Sequence, residues 1–210
     1  MKTWLALAAA LGALSSCVPR VHWQPSAGLL RSSSGFSITL PPGWMVLAQG
    51  ANSTSGFVAA SRDGPSLQCI AAGATNAPGN ESPAISALKA WQRMPLYTTA
   101  DSTGNKNAAL VAATLGGEAT PPVVEPSSPT VVGGRLGFRA EVKWNDPTGL
   151  PVRSVVLGAI VGPRLYWLLY AAPARHYFDL DLATFDEVAR TFHIEPAGEK
   201  PVQESSAPGY

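Results

Sequence analysis

The residues able to do chemistry in this 210-residue chain are few and scattered. Ser86-Ala87-Leu88-Lys89 has S-x-x-K spacing, which on a helix brings a hydroxyl within reach of an amine that could activate it as a nucleophile. The companion motifs S-D-N and K-T-G are missing, so a solvated helix surface is the expected reading. General acid–base work needs two carboxylates facing one cavity. The close pairs are Asp179 with Asp181 and Asp186 with Glu187. The first pair lies at a predicted helix start, where negative charge meets the positive end of the macrodipole; the second diverges around the helix, so capping and solvation account for both. His22, His176 and His193 stand apart, without C-x-x-C or H-E-x-x-H. They do not supply the three or four clustered ligands a metal site needs, and His176 and His193 read as surface or capping side chains. G-x-G-x-x-G, G-x-x-x-x-G-K and G-x-S-x-G are also absent, which removes the usual support for nucleotide binding and serine hydrolysis. The expectation is a non-enzyme with no catalytic residue, no cofactor and no metal.

The strongest signal lies at the start. A single Lys2, an apolar run from Trp4 to Leu14 and small residues ending at Cys17 form a signal-peptide layout. The run is far shorter than the about 20 residues a helix needs to cross a bilayer. Leu14-Ser15-Ser16-Cys17 resembles a bacterial lipobox. That resemblance implies cleavage before Cys17 and acylation of its sulfur and new amino group, hence a lipid anchor, since stable anchoring takes at least two chains. Residues 1–16 are then a lipoprotein signal peptide and 17–34 a lipidated cysteine with a flexible tether, rich in Ser and Pro. Val18 is not the aspartate that retains enteric lipoproteins at the inner membrane, so the resemblance favours the periplasmic face of the outer membrane in a cell with two membranes.

Charged residues make only 14% of the chain, hydrophobic ones 46%, with 20 Gly and 19 Pro. This is a folded chain with many turns. Its 15 Lys and Arg against 14 Asp and Glu become balanced once Lys2 leaves with the signal, and a neutral domain without a basic face does not bind nucleic acid by counterion release. Cys69 has no partner once Cys17 is acylated, so it reads as a small buried hydrophobe.

The elements between 35 and 195 read as one α+β domain. Phe36, Ile38 and Leu40 alternate with polar residues, Pro41-Pro42-Gly43 interrupts, and Trp44 to Leu47 resumes the strand. Residues 56–61 and 67–74 flank Arg62-Asp63-Gly64-Pro65 as a hairpin. Ser82-Pro83 offers a helix start, with Ile85, Leu88 and Trp91 on one stripe. Residues 107–115 read as a strand and 116–130, with four prolines, as loop. Leu136 to Trp144 alternates with Arg135, Gly137, Arg139, Glu141 and Lys143 as a half-buried strand with one wet face. Residues 155–161 and 165–172 are apolar throughout and form the sheet centre. A helix capped by Asp179 or Asp181, with Leu182, Phe185, Val188, Ala189 and Phe192 on one stripe, covers it. Residues 196–210 read as a disordered tail.

Gly35-Phe36-Ser37-Ile38-Thr39-Leu40-Pro41-Pro42-Gly43-Trp44, Gly133-Gly134-Arg135-Leu136-Gly137-Phe138-Arg139 and the closing helix from Phe185 to Phe192 together resemble the Mog1/PsbP-like superfamily, which includes bacterial lipoproteins of the DcrB type. The resemblance implies an α/β/α sandwich around an antiparallel sheet and an accessory or binding role, with no catalytic residues to transfer. The row Arg135, Arg139, Glu141 and Lys143 is the expected docking face for an envelope protein partner. Tyr166, Trp167, Tyr170, Tyr177 and Phe178 form a local aromatic excess, expected in the core. The alternative expectation is a carrier of an apolar small molecule or lipid in a cavity between sheet and helix.

Overall fold

The computed structural model describes residues 22–48, 56–64, 67–92, 121–146 and 149–195. In chain order these form β1 (His22–Pro25), β2 (Leu29–Ser32), β3 (Phe36–Thr39), β4 (Met45–Ala48), β5 (Phe57–Ser61), β6 (Cys69–Asn76), α1 (Pro83–Gln92), β7 (Val123–Val124), β8 (Ser128–Val132), β9 (Arg135–Asn145), β10 (Pro151–Val161), β11 (Arg164–Pro173), α2 (Tyr177–Thr191) and β12 (His193–Ile194).

The apolar runs of β10 and β11 pair antiparallel from Val152↔Pro173 to Val161↔Arg164 around the Gly162-Pro163 turn. β6 flanks β11 and β9 flanks β10, so a large antiparallel sheet runs β1-β4-β5-β6-β11-β10-β9-β7, with β8 also on β9. Side chains on a strand alternate between faces, and β11 shows how both are used. Tyr166, Leu168, Tyr170 and Ala172 enter one cluster with Phe178, Phe185 and Val188 of α2. Leu165, Trp167, Leu169 and Ala171 enter the other with Ala84, Leu88 and Trp91 of α1. The helices therefore cover opposite faces, and the fold is an α+β structure with α/β/α layering, as the resemblance implies. A smaller sheet, β12-β3-β2, packs Phe36 and Ile38 into the α2 side, where Phe36 meets Phe192 at 5.6 Å between ring centroids.

Two expectations about irregular segments are corrected. The Ser- and Pro-rich stretch expected as tether through residue 34 contributes β1, paired with β4, and β2, paired with β3, so among the described residues regular structure is present from His22 and not only from 35. The proline-rich stretch expected as loop contains β7 and β8, both on β9. Pro129 is tolerated there because β8 has β9 on one side only and a proline that donates no N–H can face outward at a sheet edge. Residues 1–21, with the expected signal peptide and Cys17, the expected strand at 107–115 and the expected tail at 196–210 lie outside the described residues.

Candidate functional site

The row expected as a docking face is drawn largely into intramolecular pairs by the strand and helix beside it. Arg139 Nη1 donates to Asp186 Oδ1 of α2 at 2.8 Å, and its guanidinium lies 5.9 Å from the Phe185 ring centroid. Glu141 accepts from Arg153 of β10 twice, Nε to Oε1 at 2.7 Å and Nη2 to Oε2 at 3.1 Å. That two-point hydrogen bond holds the Glu141 carboxyl below its ordinary range despite partial burial. Arg153 also lies 3.9 Å from the Phe178 ring centroid and 3.5 Å from Asp179. Lys143 donates to Glu125 at 2.7 Å, which raises the pKa of the amine. Arg135 stands exposed at the start of β9. The alternation showed which side of β9 these residues occupy, but the acidic partners on α2 and on the strand-to-strand connection at Glu125 are set by tertiary packing.

Asp181 is not a helix cap. It is 2% exposed on the inner face of α2, where Oδ1 accepts from Arg62 at 2.9 Å and Oδ2 from Gln68 Nε2 at 3.2 Å. The same Gln68 amide donates to Asp63 Oδ2 at 2.8 Å, and Arg62 Nε reaches that carboxylate at 3.0 Å. Gln68 first and Arg62 second hold the Asp63 carboxyl below its usual range. The arrangement is a clamp between the turn after β5 and helix α2, with both carboxylates supplied with donors. Gln68 Oε1 is left buried without a hydrogen bond because its amide nitrogen serves both carboxylates. The readable signal was that Asp181 shares the helix stripe of Phe178, Phe185 and Val188, where a charge must find a buried partner. The helix start itself is at His176, at φ 70°, with no side-chain cap. Above this clamp the Tyr170 hydroxyl donates to the carbonyls of Tyr177 and Phe178, at 3.1 Å each, and burial pushes its phenol above the ordinary range.

The remaining expected residues fall into structural places. Ser86 Oγ donates to Glu81 Oε2 at 2.8 Å and Lys89 pairs with the other oxygen of that carboxylate, so each is directed to Glu81 rather than to the other. Cys69 is fully buried, and desolvation pushes its thiol up to about 12, which keeps it protonated and unreactive at neutral pH. His193 is exposed on β12 and His176 is exposed before α2. Trp167, Tyr170 and Phe178 are core residues, as expected from the sequence, with Tyr166 close behind.

Aromatic side chains pack between the sheet and each helix. On the α2 side Tyr170 stacks on Phe185 at 5.7 Å and meets Phe178 at 5.5 Å. On the α1 side Trp91 meets Trp144 edge-on at 5.6 Å, and the Trp144 indole donates to buried Ser154 at 2.9 Å. An open cleft of about 370 Å³ lies beside β7, β9 and the start of β10, lined by Pro121, Val123, Trp144, Pro151 and Val152 together with Lys143 and Arg153.

The fold and its charged residues define a layered α+β module whose described titratable groups are largely engaged in structural pairs. Among the described residues no helix is long and apolar enough to cross a membrane, and no group of three or more His, Cys, Asp or Glu is placed to hold a metal ion. No family model matches the sequence, and no curated protein matches it. Among solved structures the chain is similar to LpqN of Mycobacterium tuberculosis, described as involved in cell envelope biogenesis, at 13% identity and TM-score 0.46 over 84% of this chain and 92% of that one. It is similar to a Bacteroides thetaiotaomicron protein at 13% identity and TM-score 0.45, over 82% of this chain and 50% of that one. It is also similar to the cyanobacterial PsbP (CyanoP) of Synechocystis at 15% identity and TM-score 0.44, over 87% and 99%.

Proposed function

We propose that this chain is a bacterial envelope lipoprotein whose acylated Cys17 holds a non-catalytic accessory domain at a membrane. The observation that carries the reading is Leu14-Ser15-Ser16-Cys17 placed directly after the short apolar run that begins at Trp4. The structure adds that β1 begins at His22, so little chain separates the anchor from the folded domain. A non-catalytic role is supported by the use of the side chains that a reaction would need. Glu141, Asp181 and Asp186 neutralise arginines, and Ser86 and Lys89 are both tied to Glu81.

Mass spectrometry of the protein from its native host tests the anchor. The expected N-terminus is Cys17 carrying a diacylglyceryl group and an amide-linked acyl chain, and Cys17→Ser releases the protein from the membrane fraction. An unmodified Cys17, or cleavage at another position, refutes it. The accessory role predicts a protein partner in the envelope: crosslinking in cells yields one defined product, whereas recovery of monomer alone across several crosslinker lengths counts against it. Outer-membrane residence, in a cell with two membranes, is the finer part of the reading and is tested by membrane fractionation.

A further inference from the structure

We propose that the end of the large sheet at which the chain enters the domain lies against the lipid bilayer, with Val131, Leu136 and Ile160 dipping into its interface. The inference rests on acylation of Cys17. Four residues, 18–21, separate Cys17 from His22, and the five steps from one Cα to the next, at ~3.3–3.6 Å each, reach no more than about 18 Å when fully extended. An acylated Cys17 therefore keeps the His22 end of β1 close to the lipid surface.

The pairing shows what else lies at that end. Every neighbour along the path is antiparallel, so the start of β1 shares one end of the sheet with the end of β4 and the start of β5. The end of β6, start of β11, end of β10, start of β9 and end of β8 follow along that same end. This end carries a row of exposed aliphatic side chains. Val131 is 73% exposed, Leu136 80% and Ile160 49%. Val131 pairs directly with Leu136, and Ile160 lies on β10 two residues past Gly158, where the pairing with β9 ends at Phe138.

All three lie on the sheet face that α1 covers further along, with Phe138 next in the row. The other large exposed apolar residues, such as Leu29, Leu150 and Leu180, stand on separate elements. Contiguous exposed apolar side chains mark a binding surface. Three of them fall far short of the roughly 800 Å² per partner that a stable protein interface buries. A bilayer interface takes such a row without needing a matching surface, and Arg135, exposed at the same end, is placed to meet a phosphate headgroup.

The test uses the full chain, acylated in its host and reconstituted into vesicles of phosphatidylethanolamine and phosphatidylglycerol. An environment-sensitive fluorophore is placed on Leu136→Cys, on Ile160→Cys and, as the control at the opposite end of the sheet, on Leu150→Cys. The expected result is that all three proteins float with the vesicles, that the probes at 136 and 160 shift to the blue and are quenched by nitroxide lipids, and that the probe at 150 is not. Flotation with water-like, unquenched emission at 136 and 160 overturns this orientation and leaves the anchor standing. Loss of flotation refutes the anchor, and the orientation with it. Shielding of 136 in the unacylated Cys17→Ser protein without vesicles assigns the row to contact between copies of the chain and also overturns the proposal.

Discussion

The two faces of the large sheet are closed by different means. Under α1 the closure is by volume. Small residues on helix and strand, Ala84, Ala87, Ala71 and Gly73, let three tryptophans fill the layer, and a Cβ at Gly73 would sit 2.6 Å from Trp167 Cζ2. Under α2 the centre is a stack of Tyr170, Phe178 and Phe185, and the margin is charged. Arg62, Arg139 and Arg153 reach from the sheet or the turn after β5 to Asp181, Asp186 and Asp179 on the helix. A face closed by shape is sensitive to volume and indifferent to pH, whereas a face rimmed by ion pairs responds to both.

Five sets of substitutions test that contrast. Truncating the centre of either layer, Trp91→Ala under α1 or Phe185→Ala under α2, has the largest expected effect, about 3–5 kcal/mol each. For a protein of this size each kcal/mol lowers the midpoint of a thermal melt by roughly 2–4 °C. Similar losses on both sides would show that the charged rim does not replace the hydrophobic centre. Next is Asp181→Asn, which keeps the shape but removes the buried charge from Arg62 and Gln68. About 1.5–3 kcal/mol is expected in denaturant unfolding, with faster amide exchange in α2 and unchanged exchange in α1. On the other face Gly73→Ala forces Trp167 to shift and is expected to cost about 1–3 kcal/mol. Gly79→Ala, with nothing within 4 Å of its Cβ, is expected to change stability little.

Acid separates the faces more finely. The folded pKa of Glu141 is depressed by Arg153, so its contribution is fully present above the ordinary carboxylate value of about 4.3. It is lost as pH falls through the depressed folded value. Unfolding followed from pH 5 downward is expected to show a stability loss that is shallower in Glu141→Gln, and an unchanged slope in that variant refutes the assignment. The smallest effect is that of Arg139→Ala. Its ion pair with Asp186 is about a third exposed on each side, so a loss within about 1 kcal/mol is expected. A larger loss would mean that packing of Arg139 near Phe185 matters more than the charge pair.

Much of this architecture was legible because period and punctuation were strong. The β5–β6 and β10–β11 hairpins, the helix opening at Pro83 and the closing helix stripe stand where apolar spacing puts them. The short edge strands were not legible. β1, β2, β7 and β8 are rich in Pro, Ser or exposed residues, and nothing in their own composition competes with a loop until β4, β3 or β9 offers a backbone to pair with. Leu136 misled in the other direction, since its place in an alternating pattern predicts burial, yet it lies beyond the reach of α1 and is exposed.

The amino-acid sequence alone determined the lipobox-like spacing that ends at Cys17, the near balance of charge and the elements whose hydrophobic period exceeds local noise, because these depend on residue type and on spacing along one strand or helix. The tertiary structure alone decided that Asp181 is a buried clamp, that Arg139, Glu141 and Lys143 have intramolecular partners, and that one end of the sheet carries an aliphatic row. Each of those depends on which strands become neighbours, and pairing between distant segments has no signature in the spacing of either one.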